Sequence, residues 1–197
     1  MMKKIFFLLT MIFAMATSTQ AQEREIALSY SVAIPLGDVG DYISNVSPRG
    51  VYFNYNHYFY DNIAVGLSAG LTTFYEEKAD DTYVTSNGSI SGKQFRYSNH
   101  VPLMVTGSYY LSTDGQLKPF VQLGLGTMYT RRDTDMGLYS IEEEAWAFAL
   151  SPEVGLKYEI LSGKSILLSA KYLNGFKAGD ELDASQSFLA FSIGITL

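Results

Sequence analysis

With 197 residues, no cysteine and a formal net charge of −6, the chain is sized for one domain, has no thiol for a disulfide or a lipid anchor, and offers no basic surface for nucleic acid. Its composition is 47% hydrophobic and 14% aromatic, with 15 Tyr and 17 Gly, a mixture that suits β-strands. Beyond the first residues no uninterrupted run of roughly 18 apolar residues occurs, which excludes a later membrane helix but not a membrane barrel, whose alternating strands leave hydropathy near neutral.

The N-terminal stretch MMKKIFFLLTMIFAMATSTQAQ places Lys3 and Lys4 before an apolar run from Ile5 to Met15 and a polar tail ending at Ala21. That order predicts a cleaved signal peptide over 1–21 and one mature domain over 22–197. Loss of Lys3 and Lys4 makes the mature domain more acidic still.

From there the pattern has period two, which puts alternate side chains on opposite faces of a strand. In the first segment Ile26, Leu28, Tyr30, Val32, Ile34 and Leu36 share one face, and Glu25, Ala27, Ser29, Ser31 and Ala33 the other. A second strand over 49–60 sets Val51, Phe53, Tyr55 and Phe59 against Tyr52, Asn54, Asn56 and Tyr58. Asp61-Asn62 turns it into a third, with Ile63, Val65, Leu67, Ala69 and Leu71 opposite Ala64, Gly66, Ser68 and Gly70. The fourth, over 95–111, sets Val101, Leu103, Val105 and Tyr109 against Met104, Thr106, Ser108 and Tyr110. The fifth, over 118–130, opposes Val121, Leu123, Leu125 and Tyr129 to Gln122, Gly124, Gly126 and Met128. In the sixth, over 145–160, Trp146, Phe148, Leu150, Val154, Leu156, Tyr158 and Ile160 face away from Ala149, Ser151, Glu153, Gly155, Lys157 and Glu159. The seventh, over 165–176, puts Ile166, Leu168, Ala170 and Tyr172 opposite Ser169 and Lys171, and the last alternates Leu189, Phe191, Ile193, Ile195 and Leu197 with Ala190, Ser192, Gly194 and Thr196.

Connections alternate between long (near 37–48, 75–94, 131–144 and 174–186) and short (61–62, 112–117 and 161–164). The predicted fold is therefore all-β, an eight-stranded antiparallel up-and-down transmembrane barrel with short periplasmic turns and long outer loops. Closure follows from the solvent, because an open sheet would leave two unpaired edges in lipid. A soluble lipocalin-like barrel would turn the apolar set inward, and the face carrying Gly66, Gly70, Gly124, Gly126, Ala190 and Gly194 is too small and uncharged for a solvated exterior.

SYSVAIPLGDVGDY from Ser29, KPFVQLGLG from Lys118, SPEVGLKYEI from Ser151 and the terminal FSIGITL together resemble the small outer-membrane β-barrel family, whose members have the porin-like barrel of outer-membrane proteins A and X. The resemblance implies a final strand read by the barrel assembly machinery, at Leu189, Phe191, Ile193, Ile195 and Leu197, although such strands more often end in Phe. It also implies localisation in the outer membrane of a Gram-negative cell envelope.

No motif points to a cofactor, a metal or a catalytic residue. His57 is expected outward among Tyr55 and Phe59, and His100 inward near Ser98 and Arg96 at the outer rim. Glu25, Arg96, His100, Glu153, Lys157, Glu159 and Lys171 are expected to form an interior polar network, because charges in a narrow barrel are expensive unless paired. Acidic clusters (Glu76, Glu77, Asp80 and Asp81; Glu142, Glu143 and Glu144; Asp180, Glu181 and Asp183) match no calcium-loop template and read as solvated faces. Arg131, Arg132, Lys93 and Lys177 are candidate contacts for lipopolysaccharide phosphates. The functional expectation is a monomeric structural or interaction barrel with no wide pore, in contact with outer-membrane lipid. Alternatives are a narrow pore or secretion accessory, a lipid-modifying barrel enzyme, and the lipocalin-like binder.

Overall fold

The computed structural model describes residues 24–85, 88–137, 139–161, 163–176 and 184–197, so the predicted leader lies outside the described residues. In chain order the elements are β1 (Arg24–Leu36), α1 (Gly37–Tyr42), β2 (Ser47–Tyr60), β3 (Ile63–Thr85), β4 (Gly88–Tyr110), β5 (Leu117–Met136), β6 (Tyr139–Leu161), β7 (Lys164–Gly175) and β8 (Gln186–Thr196). Each strand pairs antiparallel with its sequence neighbour, and β8 closes onto β1. The ladder from Ala27 leads through Asn54, Ser68, Met104, Gly126, Ala149 and Gly175 to Gln186, beside the Ser187 that faces Leu36. One circuit thus climbs about ten residues, the stagger that a closed, tilted sheet requires.

The faces are those the alternation dictates. Ala27, Ser29, Ser31 and Ala33 are buried, while Ile26, Leu28, Tyr30 and Ile34 are exposed. On β7, Ser165, Leu167, Lys171 and Leu173 point inward and Leu168 and Tyr172 outward. Leu67, Val105, Phe148, Val154 and Ile193 are each more than half exposed, members of an apolar belt that runs round the whole barrel. Aromatic residues border it: Phe59, Tyr60, Tyr109 and Tyr158 toward the short turns, Trp146, Phe148 and Phe176 toward the other end. An exposed apolar surface of this extent is stable against hydrocarbon and not against water.

The strands differ in height. β1, β2, β7 and β8 have 13, 14, 12 and 11 residues, close to the roughly 9–11 that cross a bilayer, whereas β3, β4, β5 and β6 have 23, 23, 20 and 23. Two expected long loops are therefore largely strand. The segment 75–94 continues β3 and β4 as a hairpin, and 131–144 continues β5 and β6. Outside the belt both faces of these extensions meet polar surroundings, so hydropathy stops alternating although the ladder continues. The third expected loop, 37–48, contains α1.

Gly126 shows why small residues recur inside. A β-carbon there would fall on the carbonyl oxygen of Leu103 and lie 2.8 Å from the Met104 Cα, backbone that cannot swing aside. Gly126→Ala is expected to lower the urea midpoint of vesicle-inserted protein, by about 1–3 kcal/mol of unfolding free energy. At Gly155 the Phe120 ring on the paired strand packs where a β-carbon would be, 2.5 Å from Cε1, and the Leu168 carbonyl oxygen lies 2.7 Å away.

Candidate functional site

The interior is filled in levels. Nearest the short turns, Lys157 forms an ion pair with Glu25 and donates to the Tyr58 hydroxyl at 3.2 Å. Tyr58 is 2.8 Å from the Tyr110 hydroxyl, and the Lys157 ammonium is 5.5 Å from both rings. Below them, at the rim, Lys118 pairs with Glu159 at 2.9 Å. Arg24 joins these charges around a mouth pocket of about 340 Å³.

One level up, Lys171 pairs with Glu153 at 3.1 Å, both side chains being 4% exposed. Gln122 donates to the same carboxylate at 3.1 Å and accepts from Ser108 at 2.8 Å. The Lys171 ammonium also lies 4.4 Å from the Tyr52 ring. The two charges and the Gln122 amide of this level thus engage one another, as the low local dielectric favours.

Above it the lumen becomes apolar. Phe74, Met104, Met128, Leu173 and Phe188 pack with Tyr52 into one buried cluster. His100 lies between Phe74 and Phe188, ring centroids 5.6 and 5.2 Å away, and its two nitrogens meet Ser98 Oγ at 2.9 Å and Thr130 Oγ1 at 3.1 Å.

The helix α1 covers this cluster. Six residues are too few to hold a helix alone, and no side chain caps its N-terminus, so its packing holds it. Val39 and Ile43 are fully buried in the cluster below. Tyr42 lies between two guanidinium groups, Arg96 at 5.2 Å and Arg132 at 4.7 Å, with its hydroxyl 2.6 Å from Thr134 Oγ1. Arg96 also donates to Tyr42 O and Gln94, and Arg132 to Gln186. On the far side Asp38 accepts from the backbone N–H of Ser185 at 2.7 Å and from its hydroxyl at 2.9 Å.

Glu25, Arg96, His100, Glu153, Lys157, Glu159 and Lys171 all line the interior or its rims, but at separate heights. Lys157 meets Glu25, Lys171 meets Glu153, Glu159 meets Lys118 at the lower mouth, Arg96 holds the lid and His100 sits in the apolar level. An apolar level between polar ones was not foreseen, although Tyr52, Met104 and Met128 already fell on the inward face.

Ser98 and His100 have a nucleophile–base separation, yet both are fully buried and the second imidazole nitrogen meets Thr130, with no carboxylate to orient it. His57 points outward against Phe59, centroids 5.1 Å apart. Among the described residues no group of three or more His, Cys, Asp or Glu could hold a metal ion.

Several of the outer charges are engaged. Glu76 accepts from Ser44, Glu77 pairs with Lys93 at 2.6 Å, and Glu144 accepts from Tyr129. Arg131 contacts Asp133 at 3.1 Å and Glu142 at 3.0 Å. Arg132, expected at the surface, instead turns inward and is buried beneath α1, because the β5 extension keeps its alternation past Thr130. Asp180, Glu181, Asp183 and Lys177 lie outside the described residues, as do the side chains of Asp80 and Asp81.

An eight-stranded ring with an apolar exterior and a packed interior defines a membrane β-barrel, the reverse arrangement of a soluble ligand-binding barrel. Residues 5–194 match the family model described as outer membrane protein beta-barrel domain, and the chain belongs to that family. No curated protein matches it in sequence. Among solved structures it is similar to Neisserial surface protein A, with 13% identity and a TM-score of 0.59, over 90% of this chain and 99% of that one. It is also similar to Ail, the attachment invasion locus protein of Yersinia pestis, in complex with the heparin analogue sucrose octasulfate, with 12% identity and a TM-score of 0.50, over 89% and 97% of the two chains. The outer membrane enzyme PagL matches at 14% identity and a TM-score of 0.43, over 88% and 98%. Identities this low speak to the fold alone.

Proposed function

We propose that this chain is a closed, non-catalytic barrel of the outer membrane that acts through its outer surface, as a structural or interaction protein of the cell envelope. In this reading it is exported by a leader removed near Ala21 and inserted as a monomer with its short turns in the periplasm. The assembly machinery engages the last strand, whose Phe191, Ile193, Ile195 and Leu197 all lie exposed on one face.

The observation that carries the reading is the stack of filled levels: two buried ion-pair levels, an apolar cluster and a lid. A pore needs a continuous wet path, and a lumen packed with Phe74, Met104, Met128, Leu173 and Phe188 has none. The lipid-modifying alternative needs a nucleophile within reach of lipid, and Ser98 and His100 face the interior. Purified protein in planar bilayers is expected to give no stable single-channel current. Steps of porin-like conductance would overturn the closed-barrel reading and favour the pore or secretion-accessory alternative. Altered envelope lipid on deletion of the protein, restored by the wild type but not by His100→Ala, would overturn the non-catalytic one.

A further inference from the structure

Gly107 faces outward from β4, between Val105 and Tyr109, and its ladder partners are Val65 on β3 and Leu123 on β5. A β-carbon there would meet no atom within 4 Å, so packing inside the protein does not call for glycine. Glycine weakens a strand interior, and its use there often marks a place where something approaches closely. With Val65, Leu123, Val121 and Val154 standing about half exposed around it, Gly107 floors an apolar groove of about 520 Å³ in the belt. Tyr109 lines this groove and also a second pocket of about 550 Å³ at the short turns, with Phe59, Tyr60, Asp61 and Thr113. The second pocket is polar where the first is apolar. Among the described residues, Asp61 is its one charged lining residue, and no Lys or Arg lines it.

We propose that the two pockets together hold one phospholipid of the periplasmic leaflet, with an acyl chain in the Gly107 groove and a primary-ammonium headgroup beside Asp61. This rests on the placement of the barrel in the outer membrane with its short turns in the periplasm, and it adds a partner on the inner side. Position selects an amphiphile: the groove belongs to the belt that faces hydrocarbon, the pocket lies where the chain turns back into water, and Tyr109 borders both. Charge selects the headgroup. A carboxylate with no cation beside it attracts an ammonium and repels an anionic glycerol headgroup, and the exposed rings of Phe59 and Tyr60 favour a cation as well. The Tyr109 and Thr113 hydroxyls supply donors to the lipid oxygens between.

The test is native mass spectrometry of the full chain in neutral detergent, titrated with phosphatidylethanolamine and with phosphatidylglycerol of the same acyl chains. Wild type is expected to bind the ethanolamine lipid about threefold more tightly, the scale of an exposed charge contact. Gly107→Leu adds its side chain outward into open space and should weaken both lipids about tenfold, the worth of about two buried methylenes. Asp61→Asn should remove the headgroup preference alone, while Asp114→Asn, on the next short turn but outside the pocket, leaves it intact. Equal binding by wild type and Gly107→Leu overturns the groove. An unchanged preference in Asp61→Asn overturns the headgroup assignment, as does an equal loss in Asp114→Asn, which would mean net charge alone. A wild-type dimer that Gly107→Leu dissolves overturns the lipid and gives the groove to a second copy. Each variant is also run on a gel with and without boiling. Variants that keep the heat-dependent shift but not the binding pattern discard this site alone, whereas a wild type without the shift removes the membrane reading beneath it. Should Gly107→Leu itself lose the shift, the two turn variants decide.

Discussion

Replacing Lys171 by Met in the vesicle-inserted barrel is expected to remove about 3–5 kcal/mol of unfolding free energy, the cost of stranding one charge of a buried pair. Both partners are 4% exposed, so the Glu153 carboxylate cannot turn to water, and its remaining donor, Gln122, is neutral. Glu153→Gln is expected to cost a similar amount, because Lys171 then has no counter-charge and keeps only a neutral amide oxygen and the face of Tyr52. The double variant Glu153→Gln/Lys171→Met should recover much of the loss, since it leaves no charge behind. Urea titrations of the four proteins form a double-mutant cycle, and strictly additive losses would show that the two groups do not act as a pair. The same substitutions at Lys118 and Glu159 should cost far less, because that pair is about a third exposed at the rim.

Phe74→Ala is the second large effect. The ring is fully buried, packed edge-on to Phe188 at 5.5 Å, and walls in His100. Removing it costs about 3–5 kcal/mol, for lost burial and for a cavity that a closed sheet cannot collapse to fill. The variant should still carry no current, because the Lys171 and Lys157 levels below remain intact. Loss of stability without gain of conductance is thus the expected pair of results. Conductance in Phe74→Ala alone would show that the apolar level is the sole barrier.

How much of this was legible in the sequence depended on what each segment faces. Between lipid and lumen the contrast is steep, so alternation in Ile26 to Leu36 or Leu189 to Leu197 fixed which face each residue takes. Beyond the belt the contrast vanishes. Glu77 and Lys93 face water on one side of the β3–β4 hairpin and Gln94 and Arg96 face the lid on the other, so polar residues on both faces concealed the strands. GDVGDY is short, holds two glycines and carries no cap, and only its packing against the barrel makes it a helix. In the interior, alternation placed Lys171 and Glu153 on inward faces but could not assign heights. Height follows from the stagger of the whole ring, which is why Lys157 meets Glu25 across the closed barrel rather than a residue nearer in sequence.

The lid also has a place in time. It continues directly from the first strand, yet one side of it is anchored by the end of the chain: Ser185 holds Asp38, Ser187 donates to the Leu36 carbonyl, and Phe188 lies in the cluster that buries Val39 and Ile43. None of those contacts exists until the last strand has arrived beside the first. A segment made early must therefore wait for the chain to finish before it is fully seated, and its seating works as a clasp across the seam where the cylinder shuts.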